Sequence, residues 1–260
     1  MTRGLWERET VAVMLLAAYM PLALFWLRYE GADAVVRLGL AVLVIAFWHF
    51  VFMLGRAQPP TLAALITALA IAMLAPEGLG IFRLALGISF GAVAGELIFG
   101  GWGRNVVNPA TVALSFLGFG FPGLPWPSFV DPIAWAAIPT ALIGIVTGVL
   151  PAAVSLSALL VGAAATWGGI LPESVLPVAG FVLVLLVADP VASSATTVGR
   201  WLNGALYMSL VTLFASVWNG ADNLQFSVAA ALFASLAAPF FDELGLAWWL
   251  AQRRRRHGRS

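Results

Sequence analysis

The chain has 260 residues, of which 62% are hydrophobic and 10% are charged, and its formal net charge is +1. Soluble domains carry about 25% charged residues, so this composition leaves too little polar surface to cover a water-soluble globule. The chain contains no cysteine, which excludes disulfides, thiolate metal sites and cysteine-bound iron–sulfur clusters within it.

Apolar runs of spanning or near-spanning length follow one another along the chain. They predict an all-α integral membrane protein with about ten transmembrane helices, some of them broken helices or half-helices. Pro76 is expected to stop the third run, Pro139 to break or kink the sixth, and Asp189-Pro190 to end the eighth. The runs are Thr10–Leu27, Ala34–Leu54, Thr61–Ala75, Ile81–Phe99, Pro109–Phe121, Pro132–Leu150, Ala152–Ile170, Ser174–Ala188, Trp201–Trp218 and Phe226–Phe240.

The residues after the last run carry aromatic and basic side chains. Leu244–Gln252 is expected to form a separate short interfacial helix, with Trp248 and Trp249 at the level of the lipid headgroups. The basic tail, residues 253–260, is expected to lie against anionic lipid and not to bind nucleic acid, because its run of arginines is short and tethered.

The arginines predict the orientation of the chain, which has no lysine. If both termini are cytoplasmic, ten of the 13 arginines lie inside, in agreement with the positive-inside rule. The inside set is Arg3, Arg8, Arg56, Arg104, Arg200, Arg253, Arg254, Arg255, Arg256 and Arg259, and the outside set is Arg28, Arg37 and Arg83.

One stretch between two apolar runs is rich in glycine and polar side chains. It begins at Glu96 and contains Gly100, Gly101, Gly103, Arg104, Asn105, Asn108, Pro109 and Thr111. Glycine permits tight turns and close approach, and proline fits the first turn of a helix that Asn108 can cap. We expect a helix to end near Phe99 and another to begin near Pro109. The crossing between them either lines a cavity or is an ordinary polar loop.

A second polar stretch runs from Ala188 to Leu206. Five side chains that can form hydrogen bonds fall within nine residues: Asp189, Ser193, Ser194, Thr196 and Thr197. Gly199 permits a tight turn, and Arg200 is a candidate partner for Asp189. These residues suit a capped turn that satisfies free N–H groups at a helix start. They also suit a helix end that binds an anionic or polar group.

Glu96 is the candidate residue for an ion pathway. It lies in the last turn of the fourth run, and carboxylates at membrane depth are costly and by default suggest function. The alternative is that Glu96 lies near the surface and pairs with Arg104.

Two motifs resemble the signatures of the NqrB/RnfD family. The first, Phe99–Ala110, is similar to the pattern Gly-Gly-x-Gly-x-Asn-x-x-Asn-Pro-Ala, and the second, Asp189–Trp201, reads Asp-Pro-Val-Ala-Ser-x-x-Thr-x-x-Gly-Arg-Trp. Leu65–Leu69 is similar to a further segment of that family. Its members are membrane subunits of the sodium-pumping NADH:quinone oxidoreductase and of the Rnf ferredoxin:NAD complex. The resemblance covers about residues 60–210.

The resemblance implies a urea-transporter-like fold with an inverted repeat, here halves of about residues 1–121 and 122–252 in a single membrane domain, 1–260. It also implies a bacterial inner membrane, partner membrane subunits, and a non-covalent flavin (FMN or riboflavin) or quinone near the signatures. Glu96 stands where a lysine is common. The family usually joins one FMN covalently to the threonine of a Ser-Gly-Ala-Thr segment, but the corresponding Val130–Pro139 has no threonine. We therefore expect no covalent FMN.

Ser193-Ser-Ala-Thr196 resembles that attachment segment, but three features argue against a flavin on Thr196. The arginines place this connection inside, whereas the family attaches its flavin outside. Ser194 replaces the glycine, and the spacing from Asp189 is one residue long.

Three functions fit these patterns. The first is a membrane subunit of a flavin- or quinone-linked, ion-translocating electron transport complex, in which the cofactor does the redox chemistry and the protein supplies binding and electrostatics. The others are a solute channel or transporter on the same scaffold and a structural assembly subunit. For the first, we expect Asn105–Thr111 to meet Asp189–Arg200. The cofactor would contact Gly100, Gly101, Gly103, Arg104, Asn105, Asn108, Thr111, Asp189, Ser193, Thr196, Thr197 and Arg200.

Overall fold

The computed structural model describes residues 7–57, 60–128 and 131–257, with side chains except those of residues 131, 132 and 254–257. Arg3, Val130, Arg259 and the side chains of Arg254–Arg256 therefore lie outside the described part. The helices of that part are α1 (Arg8–Glu30), α2 (Ala32–Arg56), α3 (Ala63–Leu74), α4 (Gly80–Gly95), α5 (Pro109–Gly120), α6 (Asp131–Trp135), α7 (Ala137–Val146), α8 (Ala152–Trp167), α9 (Val175–Val182), α10 (Thr197–Val217) and α11 (Asn223–His257).

Helices and turns account for all the regular structure in the described residues, which contain no strand. A 3₁₀ turn, Leu97–Phe99, follows α4, and a π-helical turn, Leu183–Val187, follows α9. The expectation of an all-α protein is confirmed.

Several helices carry large apolar side chains on surfaces that face away from the rest of the chain. Phe82 of α4 is 92% exposed, and Leu43 of α2 is 70% exposed. Water-soluble proteins rarely expose contiguous apolar surface of this kind. Among the described helices α1, α2, α11 and α4 with its 3₁₀ turn are long and apolar enough to cross a membrane. The prediction of a multi-pass membrane protein is therefore supported.

Proline ends or interrupts helices where the sequence predicted it. α3 ends at Leu74, two residues before Pro76, and the π-helical turn ends at Val187, before Asp189-Pro190. The sixth run is broken into α6 and α7 at Ala136, close to Pro139. These boundaries follow from local sterics, since proline lacks the N–H and disfavours helical geometry in the residue before it.

The prediction of a separate interfacial helix at Leu244–Gln252 is wrong. α11 continues through Pro239 as one helix of 35 residues, about 52 Å long at 1.5 Å per residue. Contacts with the start of α10 hold this later part of α11 in place. Asp242 of α11 accepts hydrogen bonds from Ala195 N and Thr196 N, just before α10. In addition, Gly245 packs directly on Thr196.

The connections between helices gather at two ends of the molecule. At the signature end, Glu9 of α1 accepts a hydrogen bond from Leu62 N, Asn108 contacts Asp189, and Asp242 of α11 contacts Thr196. At the opposite end, Arg37 donates to Ala75 O, Glu77 N donates to Pro125 O, and Trp126 N donates to Asp222. The start of α1 and Asp242 of α11 therefore lie at the same end.

Close helix pairs hold the two polar stretches in place. α4 packs tightly on α5, where a Cβ atom added to Gly91 would lie 2.6 Å from the carbonyl oxygen of Pro109. Gly204 of α10 lies against the backbone of α8 in the same way. Small residues at such crossings let helix backbones approach, as in many membrane proteins. Contacts of α1 with α7 and of α5 with α11 join the earlier and later helices.

Candidate functional site

The start of α5 has the capped geometry that its sequence predicted. Asn108 precedes the helix with an extended backbone, and its Oδ1 accepts hydrogen bonds from Ala110 N at 2.9 Å and Thr111 N at 3.4 Å. Pro109 occupies the first helical position, where its missing N–H costs nothing. The expected helix start near Pro109 is confirmed.

The crossing that leads to Asn108 is a glycine turn. Gly100, Gly101 and Gly103 have φ angles of 102°, 90° and 93°. Residues with a Cβ atom rarely adopt these positive values, whereas glycine adopts them readily. Asn105 fastens the turn, because its Oδ1 accepts from Gly103 N and its Nδ2 donates to Val107 O, both at 3.2 Å. The glycines therefore serve the path of the backbone, whatever else they contact.

Arginine side chains lie over this glycine turn. The guanidinium of Arg104 lies beside Gly100, and the side chain of Arg8 from α1 lies beside Gly101 and Gly103. Both arginines are exposed. The turn consequently presents positive charge at the signature end.

The two signatures meet through one buried hydrogen bond. Nδ2 of Asn108 donates to Oδ2 of Asp189 at 2.8 Å, across 81 residues of sequence. The other carboxylate oxygen of Asp189 accepts from Val191 N at 2.8 Å. Asn108 and Asp189 are 5% and 6% exposed. A buried polar group without a hydrogen-bond partner destabilises a protein, so each of the two side chains stabilises the other. The expected meeting of the signatures is present in the structure.

The rest of the second signature is organised by Asp242, a residue that no sequence motif indicated. Its carboxylate accepts hydrogen bonds from Ala195 N, Thr196 N and the Thr196 hydroxyl, at 2.9, 2.8 and 2.8 Å. Oγ1 of Thr196 in turn accepts from Gly199 N at 3.1 Å and caps α10. Asp242 lies 46 residues after Thr196, so a local pattern could not have connected the two.

The expected pair of Arg200 with Asp189 is wrong. Nε of Arg200 donates to the carbonyl oxygen of Ser194 at 3.1 Å, and the hydroxyl of Ser194 donates to Ala238 O. The amide N–H of Ser193 donates to the carbonyl oxygen of Asp189. Arg200 therefore closes the turn before α10 and leaves the Asp189 carboxylate to Asn108. Thr197, the first residue of α10, is exposed.

Glu96 is buried and does not pair with Arg104. The alternative interpretation, a surface position with that pair, is therefore wrong. Its side chain is at the end of α4 and is 1% exposed. Oε1 accepts from Trp102 N at 3.1 Å and lies 3.7 Å from Nε2 of His49 on α2. The position of His49 beside Glu96 could not be predicted from the sequence, because no motif surrounds a single histidine in an apolar helix.

Some polar atoms beside the first signature have no hydrogen-bond partner among the described residues. They are Nε2 of His49, Oγ1 of Thr111 and Oγ of Ser115, all buried. Thr111 and Ser115 are one helical turn apart on α5, so their side chains share a face. Buried polar atoms are nearly always satisfied, and these three are therefore the places where water or a ligand would be bound.

The polar side chains at the signature end suit organic polar groups. Within the described residues no three side chains of histidine, aspartate or glutamate come together to hold a metal. The amides, hydroxyls and arginines at the signature end match the carbonyl, imide and phosphate groups of organic cofactors.

The helical fold, its exposed apolar faces and the two joined signatures define a multi-pass membrane protein with a polar site at one end. A sequence profile of the NQR2, RnfD, RnfE family matches residues 6–176. The chain belongs to that family.

Similar proteins are named as one of the subunits of Na(+)-translocating NADH-quinone reductase. The Pseudomonas aeruginosa protein is 27% identical, over 94% of this chain and 74% of its own length. The Klebsiella pneumoniae protein is 28% identical, over 84% of this chain and 68% of its own length. The Yersinia pestis protein is 28% identical, over 77% of this chain and 63% of its own length.

Proposed function

We propose that the chain is a membrane subunit of a flavin- or quinone-linked electron transport complex in the bacterial inner membrane. Family membership supports this role, as do the names of the similar proteins. The proposal includes partner membrane subunits, both termini in the cytoplasm, and a ten-helix, urea-transporter-like architecture with an inverted repeat. The arginine distribution favours that orientation.

The hydrogen bond between Asn108 and Asp189 carries the proposed site. It joins both signatures at one end of the molecule, next to the hydroxyl of Thr111, which has no partner among the described residues. We propose that a flavin or quinone binds there without a covalent bond, with its polar edge toward Asn105–Thr111 and Asp189–Arg200. When bound, the cofactor supplies the electron transfer. Arg104 would bind an anionic group such as the phosphate of FMN.

Two threonines that could be mistaken for flavin attachment sites have other surroundings. The hydroxyl of Thr196 donates to Asp242 and accepts from Gly199 N. Thr140 is fully buried in α7. The hydrogen bonds of Thr196 support its interpretation as the cap of α10.

The experiment is to purify the chain with its native membrane complex, record the visible spectrum, and quantify the flavin and quinone released on denaturation. Asn108→Ala removes the amide that joins the signatures, so it should lower cofactor content severalfold while the protein remains folded and inserted. In-gel fluorescence of the denatured chain should be absent.

Two asparagines provide matched controls. Asn203, two residues after the second signature ends, is fully buried and donates to Ala234 O of α11, so Asn203→Ala should lower stability and leave cofactor content unchanged. Asn219 is exposed beyond the end of α10, so Asn219→Ala should change neither. A wild-type protein without flavin or quinone would contradict the proposal.

One observation favours a second candidate, a solute channel or transporter. Thr111 and Ser115 place hydroxyls without partners among the described residues on one buried face of α5, and polar groups of this kind line pathways through membranes. Cofactor-free protein that conducts a small polar solute in liposomes would identify this function. Cofactor-free protein that conducts nothing would indicate an assembly subunit.

A further inference from the structure

We propose that His49 and Glu96 hold one exchangeable proton between them, and that His49 passes this proton between a groove beside α2 and Glu96. The proposal goes beyond the cofactor site, because it assigns an ion to two side chains that the cofactor proposal does not use. It does not depend on whether a flavin or a quinone is present.

The geometry brings an acid and a base together inside the helical part of the chain. His49 is on α2 and Glu96 is at the end of α4, and their Nε2 and Oε1 atoms are 3.7 Å apart. His49 is 6% exposed and Glu96 is 1% exposed. Nε2 has no hydrogen-bond partner among the described residues, and a movement of less than about 1 Å would bring it within hydrogen-bond distance of Oε1.

The cost of burying charge favours a single proton on this pair. With one proton, the pair is either carboxylate and imidazolium or carboxylic acid and neutral imidazole, and both states have no net charge. Loss of that proton leaves a net negative charge, and gain of another leaves a net positive charge. A net charge without a partner is costly at membrane depth.

The neighbouring charged groups do not replace either partner. Arg8 of α1 lies over the glycine turn, and Asp189 of the second signature is held by Asn108. Arg56 at the end of α2 donates to Ile98 O, and Glu9 of α1 accepts from Leu62 N. α3 contains no titratable residue, and Arg104 in the glycine turn is exposed.

A groove gives His49 a route to the surroundings. It has a volume of about 310 Å³ and lies between α2 and the residues that lead into α3, with His49 and Thr61 as polar parts of an otherwise apolar lining. His49 therefore stands between the groove and Glu96. Imidazole can accept a proton at one ring nitrogen and release one from the other. A proton from water in the groove would reach Glu96 in this way, without any change in electron count.

The chain is well suited to a direct test, because His49 and His257 are its only histidines. In a His257→Ala background, ¹⁵N-imidazole NMR of the full chain in lipid nanodiscs reports on His49 alone. Infrared difference spectroscopy on the same sample reports on protonated carboxyl groups. The variants are Glu96→Gln and His49→Gln. The control is Glu77→Gln, which alters a carboxyl group at the opposite end of the molecule.

If the proton is mainly on His49, Glu96→Gln should lower the midpoint of the His49 titration by about 1–3 pH units, the size expected from an adjacent carboxylate. If it is mainly on Glu96, Glu96→Gln should remove a protonated carboxyl band, and His49→Gln should shift the pH at which that band is lost. Glu77→Gln should have neither effect.

The proposal is overturned if Glu96→Gln changes neither the His49 titration nor the carboxyl band. It is also overturned if Glu96 is ionised while His49 is neutral at neutral pH. A midpoint that moves with sodium concentration at constant ionic strength would identify sodium as the occupant instead. Failure of the cofactor proposal would leave all of these readouts unchanged, so the two can be judged separately. If Glu96→Gln does not fold, the His49 titration in the otherwise unchanged chain and the His49→Gln infrared measurement decide together, because a neutral His49 beside an ionised Glu96 at neutral pH overturns the proposal.

Discussion

The connections before α5 and before α10 both carry a signature, but they are stabilised in different ways. Residues 96–108 turn on three glycines with positive φ and are tied mainly by their own side chains. Residues 188–196 are tied by a carboxylate from another helix, Asp242, which accepts three hydrogen bonds. The first connection depends on backbone freedom, and the second depends mainly on tertiary contacts.

The two connections also differ in what they leave free. In the second, Ser194, Thr196 and Arg200 all contact protein groups. Beside the first, Thr111 and His49 retain buried polar atoms without partners among the described residues. The presence of a polar side chain in a signature is therefore not enough to show that it binds a ligand. The buried polar atoms left for a ligand therefore lie beside the first connection, whereas these three side chains of the second support its turn.

The largest expected effect is on stability, from Asp242→Ala. The substitution leaves two backbone N–H groups and the Thr196 hydroxyl without their acceptor. We expect a loss of roughly 2–4 kcal/mol, since hydrogen bonds to charged groups are the stronger ones. Thermal unfolding in detergent checks it, with the neighbouring exposed Glu243→Ala as a control that should change little. Equal melting temperatures for both variants would show that the second connection does not depend on Asp242.

A smaller effect is expected from Gly101→Ala in the first connection. A Cβ atom at Gly101 would meet only Arg8, at 3.6 Å, so the cost comes from the φ angle of 90° and should be about 1–3 kcal/mol. Gly39→Ala is the matched control, because Gly39 lies inside α2 with no atom within 4 Å of an added Cβ. That variant should gain about 0.5–1 kcal/mol. Gain of stability in both variants would contradict the role of the positive φ angle.

The smallest effect is expected from Arg200→Ala. Within the part of the chain that the structure describes, one hydrogen bond is lost, from Nε to the carbonyl oxygen of Ser194, so the free energy of unfolding should fall by about 0.5–1.5 kcal/mol. Denaturant unfolding of the purified protein measures it. A loss as large as that of Asp242→Ala would mean that Arg200 pairs with Asp189 after all, as its sequence position first suggested.

The sequence by itself determined the features that depend on neighbouring residues. Asn108 and Pro109 predicted the start of α5, Pro76 predicted the end of α3, and the low fraction of charged residues predicted a membrane protein. Each of these rests on local sterics, local capping or composition, which are the same wherever the segment lies in the fold. The two signatures could be found for the same reason, because each is one continuous stretch.

Only the tertiary structure decided which polar groups are partners. Asn108 meets Asp189 across 81 residues, and Thr196 meets Asp242 across 46. His49 meets Glu96 only because α2 packs against α4. α11 continues as one helix, and its Asp242 supports α10. Helix packing brings all of these groups together, and burial strengthens the hydrogen bond between Asn108 and Asp189. Packing and burial are properties that no single stretch of sequence contains.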